Sequence, residues 1–154
     1  MEFVVNEWLM EYLRPDATIA EKALVERFLK RFMQKPEDKI FVREPSAFLN
    51  KALGYPKIYQ NNTEIVLFYR RFIKEILLNQ NKCYRVIENI ALPVNVLEKL
   101  NQPNTNFNSD TYLFEAASLT KDKIIVTTDE RLATQMQDIA NFKVVLLADF
   151  LKEY

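Results

Sequence analysis

KDKIIVTTDERLATQM, residues 121–136, is an apolar, β-branched run that stops on a carboxylate and turns at once into a helical segment. Ile124, Ile125, Val126, Thr127 and Thr128 suit a pleated, buried backbone. The run shows no apolar/polar alternation, so both of its faces expect cover, as in a parallel sheet with helices on either side. Asp129 then opens the next helix, where its carboxylate is placed to accept backbone N–H groups and to complement the helix dipole. The same acid also reads as one of several delivered to a common point by different strands.

The rest of the chain repeats that grammar. Short apolar runs near residues 3–6, 39–43, 123–128 and 143–147 are separated by segments with helical spacing. Crossovers of this length are helical and right-handed, so the expected architecture is α/β. It is a single three-layer α/β/α domain over residues 1–154, with a mainly parallel central sheet of four to five strands. YRVIENI, residues 84–90, reads either as a further strand or as an extended loop. Gly54, the one glycine, is expected as the left-handed residue that stops a short helix in PSAFLNKALGYP, residues 45–56. A single glycine also excludes a glycine-rich phosphate loop.

Composition narrows the chemistry. With 154 residues, 49% of them hydrophobic, the chain can bury one sizeable core. Lysine plus arginine and aspartate plus glutamate stand at 21 each, so net charge points to no class of partner. The absence of histidine excludes a Ser-His-Asp triad, a histidine general base and histidine metal ligands, and the single Cys83 excludes a disulfide or cysteine cluster. What remains is carboxylates, Lys, Tyr, Ser, Thr or an oxygen-held hard cation such as Mg2+ or Mn2+. There is no apolar run long enough to span a membrane and no leader pattern, so the expected location is cytoplasmic.

In open α/β sheets, ligands gather outside the carboxyl ends of the strands. There the chain carries Asn6-Glu7 after the first strand, Arg43-Glu44 after the second and Asp129 after the 123–128 run, with Asp110 opening the preceding helix. Carboxylates crowded on one rim repel one another unless protons or cations intervene. Singly, each has a plainer role: Asp110 and Asp129 as helix caps, Asn6 as a turn residue, Glu7 and Glu44 as solvated acids.

These segments resemble the PIN domain, a metal-dependent nuclease fold found in many bacterial toxin ribonucleases. MEFVVNEWLMEYL resembles the family's opening strand and helix, VREPSAFLNKAL its second block, and FKVVLLADFLKEY its last strand and terminal helix. NSDTYLFEAASLTKDKIIVTTDERL is the nearest part: an Asp opening a helix with paired alanines, then a strand ending Thr-Thr-Asp. The resemblance implies that Asp110 and Asp129 are two of four site acids. It places the other two on Asn6 and Asn50, which can ligate through an amide oxygen without contributing charge. Glu44, Glu7 and Glu115 are the neighbouring acids available to compensate, Glu44 first, while Glu115 is expected to face away from Asp110.

The activity implied is Mg2+- or Mn2+-dependent hydrolysis of RNA by Asp110, Asp129, Asn6 and Glu44, with Asp110, Asp129, Asn6, Glu7 and Asn50 around the metal. Arg43, Lys51, Arg70, Arg71 and Arg131 are candidate phosphate contacts. The implied partners are RNA, an antitoxin protein and a second copy of the chain, with no membrane. The two asparagines motivate an alternative, a catalytically silent PIN-like module that binds RNA or protein.

Overall fold

Strand β1 (Glu2–Val5) lies at the centre of a five-stranded parallel sheet, with β2 (Lys39–Arg43) and β3 (Cys83–Val86) to one side and β6 (Ile124–Thr127) and β7 (Lys143–Leu146) to the other. The computed structural model describes residues 1–103, 105–139 and 141–154. The strand order is β3-β2-β1-β6-β7, and every pairing is parallel. An antiparallel pair, β4 (Asn101–Gln102) with β5 (Thr105–Asn106), stands apart from this sheet.

Alternate side chains of each strand enter opposite layers, which is why the strands read as continuously apolar. Phe3, Val5, Ile40, Val42 and Val126 belong to one core; Val4, Phe41, Val86 and Ile125 belong to the other. The first core is closed by α1 (Trp8–Glu11), α2 (Ile19–Gln34), α3 (Ala47–Ile58), α4 (Thr63–Phe72) and α8 (Leu147–Glu153). The second is closed by α5 (Val94–Leu100), α6 (Thr111–Ser118) and α7 (Glu130–Gln135). The expected three-layer α/β/α arrangement is therefore present, and 84–90 resolves into a strand followed by an extended segment.

Local chemistry explains most boundaries. Thr18 and Glu21 form a reciprocal capping box at the start of α2, and the Asn62 side chain caps α4. Val25, Phe28 and Phe32 of α2 are buried, and Phe3 meets Phe28 and Phe32 edge-on at 6.0 and 5.9 Å. Ile19, at the start of the same helix, is 89% exposed. Helix α1 ends at Glu11, where the backbone tightens into bonds such as Leu13 N–H to the Met10 carbonyl at 3.3 Å.

Gly54 corrects a sequence expectation. It adopts no left-handed conformation, and α3 runs through it and Pro56 to Ile58. Leu49, Ala52 and Tyr55 form a buried stripe across that point, and the Tyr55 ring lies 5.4 Å from Tyr59 and 5.5 Å from Tyr69. Burying that stripe outweighs the cost of about 1 kcal/mol for an interior glycine.

Candidate active site

The sheet changes direction of winding between β1 and β6, and ligands of open α/β sheets settle at such a point. Val5 pairs with Val126, so the residues that leave the two strands emerge side by side. The Asn6 amide nitrogen donates to Thr127 Oγ1 at 3.0 Å, and the Trp8 indole N–H donates to the Val126 carbonyl at 2.9 Å. The bottom of the resulting cleft is thus fixed by hydrogen bonds between segments 118 or more positions apart.

The cleft is open, with a volume of about 560 Å³, and its walls include Asn6, Glu7, Glu11, Lys51, Asp110 and Asp129. Asp110 arrives on a 3-10 turn, Asn108–Asp110, that leads into α6. Buried Leu113, Phe114, Ala116 and Ala117 seat that helix against the sheet, and the small alanines allow close approach. Asp129 follows β6 directly.

The two aspartates play different roles. Asp129 caps α7: its Oδ1 accepts from the Arg131 N–H at 2.9 Å and the Leu132 N–H at 3.1 Å. Asp110 stands at the start of α6 but makes no side-chain capping bond there. Burial, then the Glu7 and Asp129 carboxylates, push the Asp110 carboxyl up to about 6, against a smaller opposing hydrogen bond from Ser109. A carboxylate that caps nothing and faces two others lacks the compensation it has in water.

Cations at the cleft answer only part of this charge. Lys51 pairs with Glu11; burial alone would lower its ammonium, but Glu11 and then Glu7 reverse this and leave it raised. Arg131 lies 3.8 Å from Asp129 with a side chain 78% exposed, a loose pair. The Tyr112 hydroxyl donates to Glu7 Oε2 at 2.8 Å; burial, reinforced by Glu7, raises this phenol far above its ordinary range. Glu7 therefore has one oxygen engaged.

Of the residues expected at the site, Asn6, Glu7, Asp110 and Asp129 share the cleft, while Glu44 and Asn50 do not line it. Glu44 accepts from Arg85 Nη1 at 3.1 Å, beyond the second strand and away from the β1–β6 junction. Asn50 is exposed on α3, and its neighbour Lys51 reaches the cleft instead. Glu115 faces away as expected, bound to Arg43 Nε at 2.8 Å. That pair and the Glu44 and Val86 carbonyls occupy Arg43, whereas Lys51 and Arg131 remain as candidate phosphate contacts. Sequence reasoning missed Glu11 and Tyr112. Glu11 had a signal, since it follows Glu7 by four residues and shares its helical face; Tyr112 had none.

No family model, curated protein or solved structure matches the chain.

The donor set suits a hard cation, being all oxygen, and Asp129 keeps Oδ2 clear of its capping bonds. Among the described residues, however, no three acids stand close enough to enclose an ion by themselves. The fit is to a magnesium-type site, in which one or two carboxylates hold the ion and water or substrate phosphate completes its shell. Asp110 and Asp129 are the residues that would hold it, with Glu7 alongside.

Proposed function

We propose that this chain is a PIN-like, Mg2+- or Mn2+-dependent ribonuclease of the cytoplasm, acting as a homodimeric toxin held in check by an antitoxin. The observation that carries the reading is Asp110: a carboxyl held beside Glu7 and Asp129 at the winding reversal, with no capping bond to account for it. A bound divalent ion supplies Lewis acidity and offsets charge on a phosphodiester.

The chain's own residues do the rest. Asp129 presents one oxygen to the cleft while α7 anchors the other, so its position is set before any ligand arrives. Asp110, crowded by Glu7 and Asp129, is the carboxyl whose charge a bound cation would offset most. Lys51 and Arg131 offer positive charge to phosphate oxygens from opposite walls. The Asn6–Thr127 and Trp8–Val126 bonds keep the strand ends from parting. Incubating the purified chain with labelled RNA and excess Mn2+ is the test: cleavage is expected, and Asp110→Asn and Asp129→Asn should each lower it roughly 100-fold or more. If single-stranded and structured RNA stay intact, and Asp129→Asn changes nothing, the reading fails.

One observation favours a silent RNA-binding module instead. The Asn6 amide donates to Thr127 and accepts a long bond from the Trp8 N–H at 3.4 Å, and it adds no charge to the cleft. Calorimetry decides: micromolar Mn2+ uptake that is lost in Asp110→Asn excludes the silent module.

A further inference from the structure

A second cleft adjoins the first. Its volume is about 540 Å³, it is bounded by Lys99, Gln102, Thr134 and Gln135, and it shares Glu130 and Arg131 with the acidic cleft. The charge balance reverses across those shared residues. The first cleft sets Glu7, Glu11, Asp110, Asp129 and Glu130 against Lys51 and Arg131. The second sets Lys99 and Arg131 against Glu130 alone.

The second cleft is also built rather than incidental. The Gln135 amide donates to the Lys99 carbonyl and ties α7 to α5, so the two walls are held together. The Arg131 guanidinium lies over the buried Phe107 ring at 6.0 Å, which orients a side chain that its loose pairing with Asp129 does not. Lys99 makes no ion pair among the described residues. Gln102 and Thr134 add uncharged donors and acceptors of the kind that contact nucleotides without fixing one sequence.

We infer that this second cleft holds the RNA strand on one side of the phosphodiester presented to Asp110 and Asp129, with its phosphates on Lys99 and Arg131. The inference rests on the reading of RNA as substrate. A polyanion would be repelled by the acidic cleft on its own. A cationic groove next to it supplies the attraction that brings the strand in, and the shared Arg131 marks where the backbone passes from one to the other.

The test is fluorescence anisotropy with a short fluorescein-labelled single-stranded RNA, in EDTA, where hydrolysis plays no part. Lys99→Gln and Arg131→Gln are each expected to weaken binding about 5-fold and to reduce the salt slope by about 0.7, the value for one lost phosphate contact on a single strand. Lys99→Arg should restore binding. Lys74→Gln, which removes an exposed charge from the other helical layer, should leave it unchanged. The inference is overturned if the native chain does not bind the RNA, if the Lys99→Gln/Arg131→Gln chain binds like the native one, or if Lys74→Gln costs as much. If Lys99 and Arg131 govern binding but no condition gives cleavage, the strand groove stands and the nuclease reading falls. If Mn2+-dependent cleavage persists with unchanged KM in the double variant, the nuclease stands and the groove falls.

Discussion

At the amino end of the sheet, buried polar groups are hydrogen-bonded contact by contact, and burial still pulls the Lys82 ammonium below its ordinary value. Asp38 is 6% exposed and accepts from the Tyr154 hydroxyl at 2.6 Å and the Met1 amino group at 2.7 Å. Lys82, also 6% exposed, donates to the carbonyls of Phe32, Lys35 and Asp38. At the carboxyl end, Glu7, Asp110 and Asp129 face one another across a cleft, and Asp110 rises to about 6. One end spends its polar groups on holding the fold; the other keeps them in a state that folding alone would not select, as functional sites do at a cost in stability.

The difference can be broken from the amino end first. Lys82→Met removes an ammonium donor from three carbonyls, of which those of Phe32 and Lys35 keep the backbone N–H groups of Lys35 and Asp38 at 3.3 and 3.1 Å. A net loss of about 1 to 2 kcal/mol in urea unfolding is expected, the scale of lost hydrogen bonds to a charged group. A loss below about 0.5 kcal/mol would mean that this end is no better satisfied than the other.

The reverse sign is expected at the carboxyl end. Asp110 has an ordinary value of 3.8 and titrates near 6 in the fold, so between those values the folded chain binds more protons than the unfolded one. Stability from this group is full below about pH 4 and is lost as pH rises through 6. Asp110→Asn removes the penalty and should stabilise the chain by about 1 to 2 kcal/mol at pH 8, after discounting for the solvent that reaches the group. No gain is expected below about pH 3, where Asp110 is protonated in both states. For the same reason, Mn2+ uptake should weaken as pH falls through 6. Equal stability of the two chains at pH 8 would contradict the strain assigned to Asp110.

Asp129 sharpens the contrast, because it both caps α7 and lines the cleft. Asp129→Ala should cost about 1 kcal/mol through the lost cap of α7, whereas Asp129→Asn keeps a capping oxygen and should cost less. Both should abolish Mn2+ uptake. The smallest effect belongs to Glu44→Gln: a partly exposed pair with Arg85 is worth no more than about 1 kcal/mol, and metal uptake should not change.

Much of this was legible in the chain. The β-branched runs located β1, β2, β6 and β7 within a residue or two, because burial on both faces leaves an unbroken apolar signal. Asn6, Glu7, Asp110 and Asp129 came together because parallel strands deliver their ends to one rim. Glu44 and Asn50 did not join them. A residue at a strand end reaches the cleft only beside the winding reversal, and Glu44 follows β2, one strand too far out. On α3, one position of helix phase, about 100°, separates exposed Asn50 from Lys51, which lines the cleft. Lys99 and Tyr112 depend on how α5 and α6 pack, which no local pattern specifies. Gly54 misled because a propensity of about 1 kcal/mol yields to a buried stripe.

The ribonuclease proposal requires Asp110 and Asp129 jointly to hold a divalent ion at the end of β1 and β6. Crystals soaked in Mn2+ and measured at a wavelength where manganese scatters anomalously test it directly. A peak is expected in the cleft touching carboxylate oxygens of both aspartates, and absent from Asp110→Asn crystals. A peak at Glu44 or elsewhere, or a native cleft that stays empty at saturating Mn2+, would contradict it.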